Sequence, residues 1–217
     1  MIERTIATST HGRYLVEPPD TSGPAPLLVG FHGYAEAAEL QLDRLRSIPG
    51  SNGWVLVSIQ GLHRFYRGRS RDVVAGWMTR QDRDLAIADN AAFVARTVAE
   101  VAREWRLAET LVFTGFSQGV AMAFRAACSS VRPVAGVIAL GGDVPPELDR
   151  AALARTRTAL VGRGERDEWY ATDLCAADAA RLREAGVELS AVVVDAGHEW
   201  TSEFSAQAGA FLRRQTR

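Results

Sequence analysis

The pentapeptide Gly115-Phe116-Ser117-Gln118-Gly119 sets a hydroxyl between two glycines, just after an apolar run and just before an amphipathic one. A serine hydroxyl is a weak nucleophile until a neighbouring base takes its proton. A Gly-x-Ser-x-Gly elbow pushes the hydroxyl of Ser117 out of a tight strand-to-helix turn, and the glycines leave room for adjacent backbone. The helix that starts at Gln118 then aims free N–H groups and a positive dipole end at the reacting centre. The N–H of Gln118, next after the nucleophile, is one candidate donor to a developing oxyanion.

The base must come from elsewhere in the chain. His198, in Asp195-Ala196-Gly197-His198-Glu199-Trp200, follows the last apolar run and precedes the last amphipathic stretch. It is placed to take the proton of Ser117 and return it to the leaving group. His11 falls in an expected hairpin, His32 belongs to another motif, and His63 lies in an irregular stretch. A carboxylate must hold the imidazole in one tautomer. Asp167, in Gly164-Glu165-Arg166-Asp167-Glu168, is preferred over Glu165, Glu168 and the main rival Asp143 of Gly141-Gly142-Asp143. The second oxyanion donor is expected after an early strand, where Phe31-His32-Gly33-Tyr34 offers the N–H of Tyr34. These residues assemble only if several strand ends converge.

The apolar pattern supplies such strands. Runs that do not alternate occur at 27–31, 54–59, 111–115, 134–140, 158–162 and 187–194. Such runs mark strands buried on both faces. Amphipathic helices are expected at 36–47 with Leu40 and Leu45 inward, and at 84–105 with Leu85, Ala88, Ala92, Ala95, Ala99 and Ala102 along the core face, widened by Ile87, Val94, Val98 and Val101. Further helices are expected at 118–129, 147–154, 171–185 and 200–214. Asp82 or Asp84 is expected to cap the longest helix, and Gly186 to close the helix at 171–185. Residues 4–8 and 13–17 read as a hairpin around His11-Gly12, and 60–81 as irregular. The alternation implies a mostly parallel sheet with helices on both faces, whose functional groups gather at the carboxyl ends of the strands.

Composition narrows the partners. The chain has 217 residues, with 25 basic against 26 acidic side chains and a net charge of -1, so no field draws nucleic acid or an anionic membrane. All basic residues are arginine, which removes lysine Schiff-base and P-loop chemistry. Cys128 and Cys175 are too few for a disulfide framework or a thiolate zinc site, and read as small apolar fillers. The first residues do not read as a signal peptide and no apolar run is long enough to span a membrane, so the cytoplasm is the expected location. No metal or other cofactor is required by these motifs.

The chain resembles the phospholipase/carboxylesterase branch of the α/β-hydrolases, which includes acyl-protein thioesterases. The resemblance rests on Phe31-His32-Gly33, Gly115-Phe116-Ser117-Gln118-Gly119 with Ala121-Met122-Ala123, the Asp167 loop, and Gly197-His198-Glu199. The order Ser117, Asp167, His198 is also that of α/β-hydrolases. The resemblance implies an α/β-hydrolase fold over residues 1–217 without a separate lid domain. It implies a metal-independent serine hydrolase acting on small carboxylic esters, with lysophospholipase, thioesterase and peptidase activities open beside it. A binding protein that keeps the fold without turnover is the alternative. The chain departs from the branch at Tyr34-Ala35-Glu36, where a glycine-rich turn is common, and at Val120, where a second glycine often stands. In 60–81, Phe65, Tyr66 and Trp77 are candidates to wall the substrate cleft, with core packing an equal alternative for Trp77. Arg64, Arg67, Arg69 and Arg71 read either as a solvated turn or as a clamp for an anionic group. Oligomeric state is not legible.

Overall fold

The computed structural model describes residues 1–216. Its centre is a seven-stranded sheet built from β1 (Arg13–Glu17), β2 (Ala25–Phe31), β3 (Val55–Gln60), β6 (Leu107–Phe116), β7 (Val134–Leu140), β8 (Thr156–Gly164) and β9 (Glu188–Val194), in the order β1-β3-β2-β6-β7-β8-β9. β1 runs antiparallel to β3, and the remaining neighbours pair in parallel. A separate two-stranded hairpin joins β4 (His63–Tyr66) to β5 (Val73–Gly76).

Alternation along each central strand divides the core in two. Leu27, Val29 and Phe31, with Leu111 and Phe113, face the helices α2 (Arg83–Glu104), α3 (Gln118–Ser129) and α5 (Thr172–Glu184). Leu28, Leu56, Val112, Ile138 and Leu160 face α1 (Ala38–Ser47) and α6 (Ser202–Gln215). Both faces are covered by helices, so these strands carry no polar face, as a parallel sheet requires. A short α4 (Arg150–Leu153) is capped by Asp149, which accepts the N–H of Ala152 at 2.8 Å. Gly186 closes α5 in a left-handed conformation, φ +83°.

Several expectations are corrected. Residues 1–12 form no strand; β1 finds its partner at the sheet edge instead of in a local hairpin. The apolar content of 4–8 is little more than Ile6, too thin to pair. In α1 it is Leu42 and Leu45 that are buried, while Leu40 faces solvent. In α2 the alanine stripe turns outward: Leu85, Ala88, Ala92, Ala95 and Ala99 are exposed. The expected flanking residues Val94, Val98 and Val101 are buried and are joined by Phe93, which was not expected there, because larger apolar side chains remove more area from water. Asn90 and Thr97 share that buried face with their polar atoms satisfied, which the periodicity concealed. Asp82 stands at the N-cap position in a left-handed conformation, φ 49°, and neither it nor Asp84 caps the helix through its side chain. The stretch read as irregular contains β4 and β5. Among the described residues, no helix is long and apolar enough to cross a membrane.

Candidate active site

Four strand ends converge on Ser117. The residue joins β6 to α3 with φ 53° and ψ −124°, a conformation costly for any residue with a Cβ. Backbone contact holds it there. A Cβ on Gly115 would come within 2.3 Å of the Gly119 carbonyl oxygen, and one on Gly119 within 2.1 Å of the Phe31 oxygen. Those separations admit only glycine. The N–H of Ser117 donates to the Leu140 carbonyl at 2.9 Å, tying the turn to the end of β7.

His198 lies in the turn between β9 and α6, and Asp167 just beyond β8. Nδ1 of His198 is 2.9 Å from Oδ2 of Asp167, and Nε2 is 2.8 Å from Oγ of Ser117. A carboxylate only accepts, so Nδ1 carries the proton; Nε2 is then free to accept from the serine hydroxyl. Asp167 is buried, and its other oxygen accepts the N–H groups of Trp169 and Tyr170, each at 2.9 Å. Those bonds leave Oδ2 for the histidine. Asp143 is exposed and makes no contact with His198.

The loop after β2 presents three successive N–H groups. That of Gly33 donates to Oε2 of Glu36 at 2.7 Å, and that of Ala35 to the Ala75 carbonyl at 3.0 Å. The N–H of Tyr34, between them, has no partner among the described residues, and neither has that of Gln118. The loop is held firmly. The N–H of Ala75 returns a bond to the Glu36 carbonyl at 2.8 Å, and Arg67 donates to the Ala35 carbonyl at 2.6 Å. Ala35 itself adopts φ 57°. Beneath it, His32 is buried with Nδ1 2.7 Å from the Gly33 carbonyl, while Nε2 accepts the N–H of Gly61 at 3.0 Å. Burial lowers the His32 pKa and outweighs the help it receives from the Gly33 carbonyl and Glu36. Glu36 pairs with Arg44. Burial pushes its carboxyl up, but the guanidinium and the Gly33 N–H prevail and hold it below the usual range.

The expected cleft residues separate. Trp77 is fully buried and walls no open cleft; its indole N–H donates to the His32 carbonyl at 2.8 Å, and its ring meets Phe31 edge-on. Its own N–H is taken by Oε1 of Gln118 at 2.8 Å, while Nε2 of Gln118 donates to the Met78 carbonyl at 3.1 Å. Trp77 therefore braces the site from within. Phe65 packs on Tyr34 with ring centroids 5.6 Å apart, and the Tyr34 ring lies over Gly76 beside Gln118. Tyr66, one residue on in β4, projects to the other face of the hairpin and lies beside Gly68, Ser70 and Arg71. Sequence reasoning missed the Glu36–Arg44 pair and the bracing side chain of Gln118. The only signal was an acidic residue closing the turn after His-Gly. Of the four arginines, Arg64 donates to the His11 carbonyl and Arg67 to Ala35, whereas Arg69 and Arg71 have no partner among the described residues. Cys128 is buried, its thiol pushed up to about 11, and Cys175 is half-buried.

A serine at a strand-to-helix elbow, on a mostly parallel sheet covered by helices on both faces, is the architecture of an α/β hydrolase. The profile of the Phospholipase/Carboxylesterase family matches residues 72–215, and the chain belongs to that family of ester hydrolases. Among solved structures, the Bacillus cereus carboxylesterase is similar over 94% of this chain and 94% of its own, with 13% identity and a TM-score of 0.74. Esterase PE8 is similar over 95% of this chain and 100% of its own, with 19% identity and a TM-score of 0.74. A carboxylesterase from Mesorhizobium loti covers 87% of this chain and 88% of its own, with 21% identity and a TM-score of 0.70. At these identities the likeness is one of fold. No curated protein matches the sequence.

Proposed function

We propose that the chain is a serine esterase that hydrolyses small carboxylic esters through Ser117, His198 and Asp167. The observation that carries this reading is the continuous relay from Ser117 Oγ to His198 Nε2 at 2.8 Å and from His198 Nδ1 to Asp167 Oδ2 at 2.9 Å. Ser117 attacks the ester carbonyl as His198 takes its proton, and Asp167 stabilises the imidazolium that results. The developing oxyanion is received by the N–H groups of Tyr34 and Gln118, both without protein partners among the described residues. His198 then protonates the departing alcohol, and water activated by the same imidazole clears the acyl-enzyme.

Phe65 and Tyr34 provide an aromatic wall beside the oxyanion donors, supported by their ring contact. The described residues act as one hydrolase domain, with no separate lid domain among them. The test is direct. A fluorophosphonate should label Ser117 rapidly, and a panel of p-nitrophenyl esters and acyl thioesters should show turnover that ranks with acyl length. Failure of both labelling and turnover in folded protein would leave the non-catalytic binding reading standing.

A further inference from the structure

The Glu36–Arg44 pair has no part in the relay, yet it contacts both the loop that bears the Tyr34 N–H and the Phe116 ring that precedes Ser117. The two side chains form a double contact, Nη1 to Oε2 at 2.5 Å and Nη2 to Oε1 at 2.7 Å. They are 15% and 10% exposed. The same Oε2 accepts the Gly33 N–H, so the carboxylate fixes the His32–Gly33 peptide, next to the one that carries the Tyr34 N–H. The guanidinium carbon of Arg44 lies 4.2 Å from the centre of the Phe116 ring. That ring is 5.0 Å from the His198 ring, and a Cβ on Gly33 would lie 3.2 Å from its edge. Phe116 thus joins the oxyanion loop, the cation and the base in one packed group. A buried ion pair is not needed for stability alone, since apolar residues of similar volume serve as well or better.

We propose that Glu36 and Arg44 are positioning residues for ester hydrolysis: the carboxylate directs the Tyr34 N–H by holding Gly33, and the guanidinium seats His198 through Phe116. The inference rests on the serine-esterase reading. With both partners present the pair adds no net charge near the imidazolium that forms in each turnover. Removing only the carboxylate charge leaves an unbalanced cation within about 10 Å of His198, in a medium where charges interact strongly.

The other charged groups near His198 are its partner Asp167 and the flanking Glu165, Arg166, Asp195 and Glu199. His32 lies against Glu36 behind the loop. All are retained in the variants that test the pair. Glu36→Ala, which removes acceptor and charge, should lower kcat roughly 10–100-fold with KM within about twofold, because the loss falls on transition-state alignment. Glu36→Gln retains an acceptor for Gly33 and should recover part of kcat. Its acid limb of kcat/KM should move down by about 0.5–1 pH unit. In Glu36→Gln/Arg44→Met, which carries neither charge, the limb should return to the parent position while kcat stays low. Imidazole NMR signals followed against pH separate His198 from His32, and only His198 should follow the kinetic limb.

Parent-like kcat in Glu36→Ala, or a raised KM with kcat unchanged, would overturn the proposal. So would a limb that does not move in Glu36→Gln. If Glu36→Ala does not fold, the isosteric Glu36→Gln and the double variant decide the question. A parent that neither turns over esters nor takes the fluorophosphonate sinks the esterase reading instead, and the His198 titration of the three proteins still tests the charge coupling.

Discussion

Asp167 and His198 meet across neighbouring strand ends, their 2.9 Å contact spanning 31 residues of sequence. Three donors converge on this one carboxylate: His198 on one oxygen, Trp169 and Tyr170 N–H on the other. Burial of the charge is thereby compensated by protein donors. Asp143 occupies the end of the adjacent strand β7 but faces solvent. Asp167→Asn should lower kcat about 10³–10⁴-fold by favouring the wrong imidazole tautomer. Asp143→Asn should stay within about threefold of the parent, as an exposed group with no hydrogen bond to His198 among the described residues. Steady-state hydrolysis of one p-nitrophenyl ester compares them, and the reverse ranking would move the acid to Asp143.

Ser117 holds a strained backbone conformation that its hydroxyl requires and its stability does not. Ser117→Ala should abolish ester turnover and leave the melting temperature close to the parent. Ser117→Gly should also be inactive, yet more stable by about 1 kcal/mol, the relief of strain less the added freedom of the unfolded chain. Chemical denaturation of the three proteins measures this. Equal stability of the Ala and Gly variants would show that the elbow stores no strain.

His32 gives the molecule an acid-sensitive support for the loop after β2. Because burial lowers its folded pKa below the unfolded value of about 6.5, the neutral ring contributes stability above that pH. The contribution is lost as pH falls from there towards the folded pKa, since the unfolded chain takes up a proton that the folded one refuses. His32→Gln should be less stable than the parent at pH 7.5 and should show a flatter dependence between pH 6.5 and 5. Urea midpoints across that range are the measurement. A parallel decline in both proteins would assign the acid loss to other groups.

The arginines of the β4–β5 hairpin divide by partner. Arg67→Gln releases the Ala35 carbonyl and should cut kcat/KM for a neutral ester roughly two- to tenfold, the worth of one hydrogen bond at the oxyanion loop. Arg69→Gln and Arg71→Gln should change it by less than about twofold, as isolated exposed charges do. A matched anionic ester tested at two salt concentrations extends the comparison. Selective loss of the anionic substrate in one variant would identify a binding arginine.

Much of this arrangement was legible because chemistry and topology constrain each other. Ser117 stood at the end of one apolar run, His198 at the end of another, and Asp167 between them in chain order, so the sheet had only to be parallel for them to meet. The α2 face was misread for a physical reason. Alanine repeats at helical spacing just as clearly as valine, but Phe93 and Val98 bury far more surface, and the helix rotates to suit them. Trp77 stayed open between two roles because an aromatic near a site reads equally well as wall or as brace. Its buried hydrogen bond to the His32 carbonyl decides for brace, and no periodicity announces such a bond. The Glu36–Arg44 pair joins a loop to a helix eight residues on, in geometry that appears only when the loop folds back on itself.

Backbone packing at Gly115 and Gly119 also sorts the molecule into parts that can vary and parts that cannot. With carbonyl oxygens 2.3 and 2.1 Å from where a side chain would begin, neither position can absorb a substitution by moving a rotamer. In a saturation library these two sites should be nearly invariant among active clones. Tyr34 and Trp169, both large and exposed, should tolerate many replacements. New substrate ranges on this scaffold would therefore be selected by repainting the rim around an immovable elbow, not by relocating it.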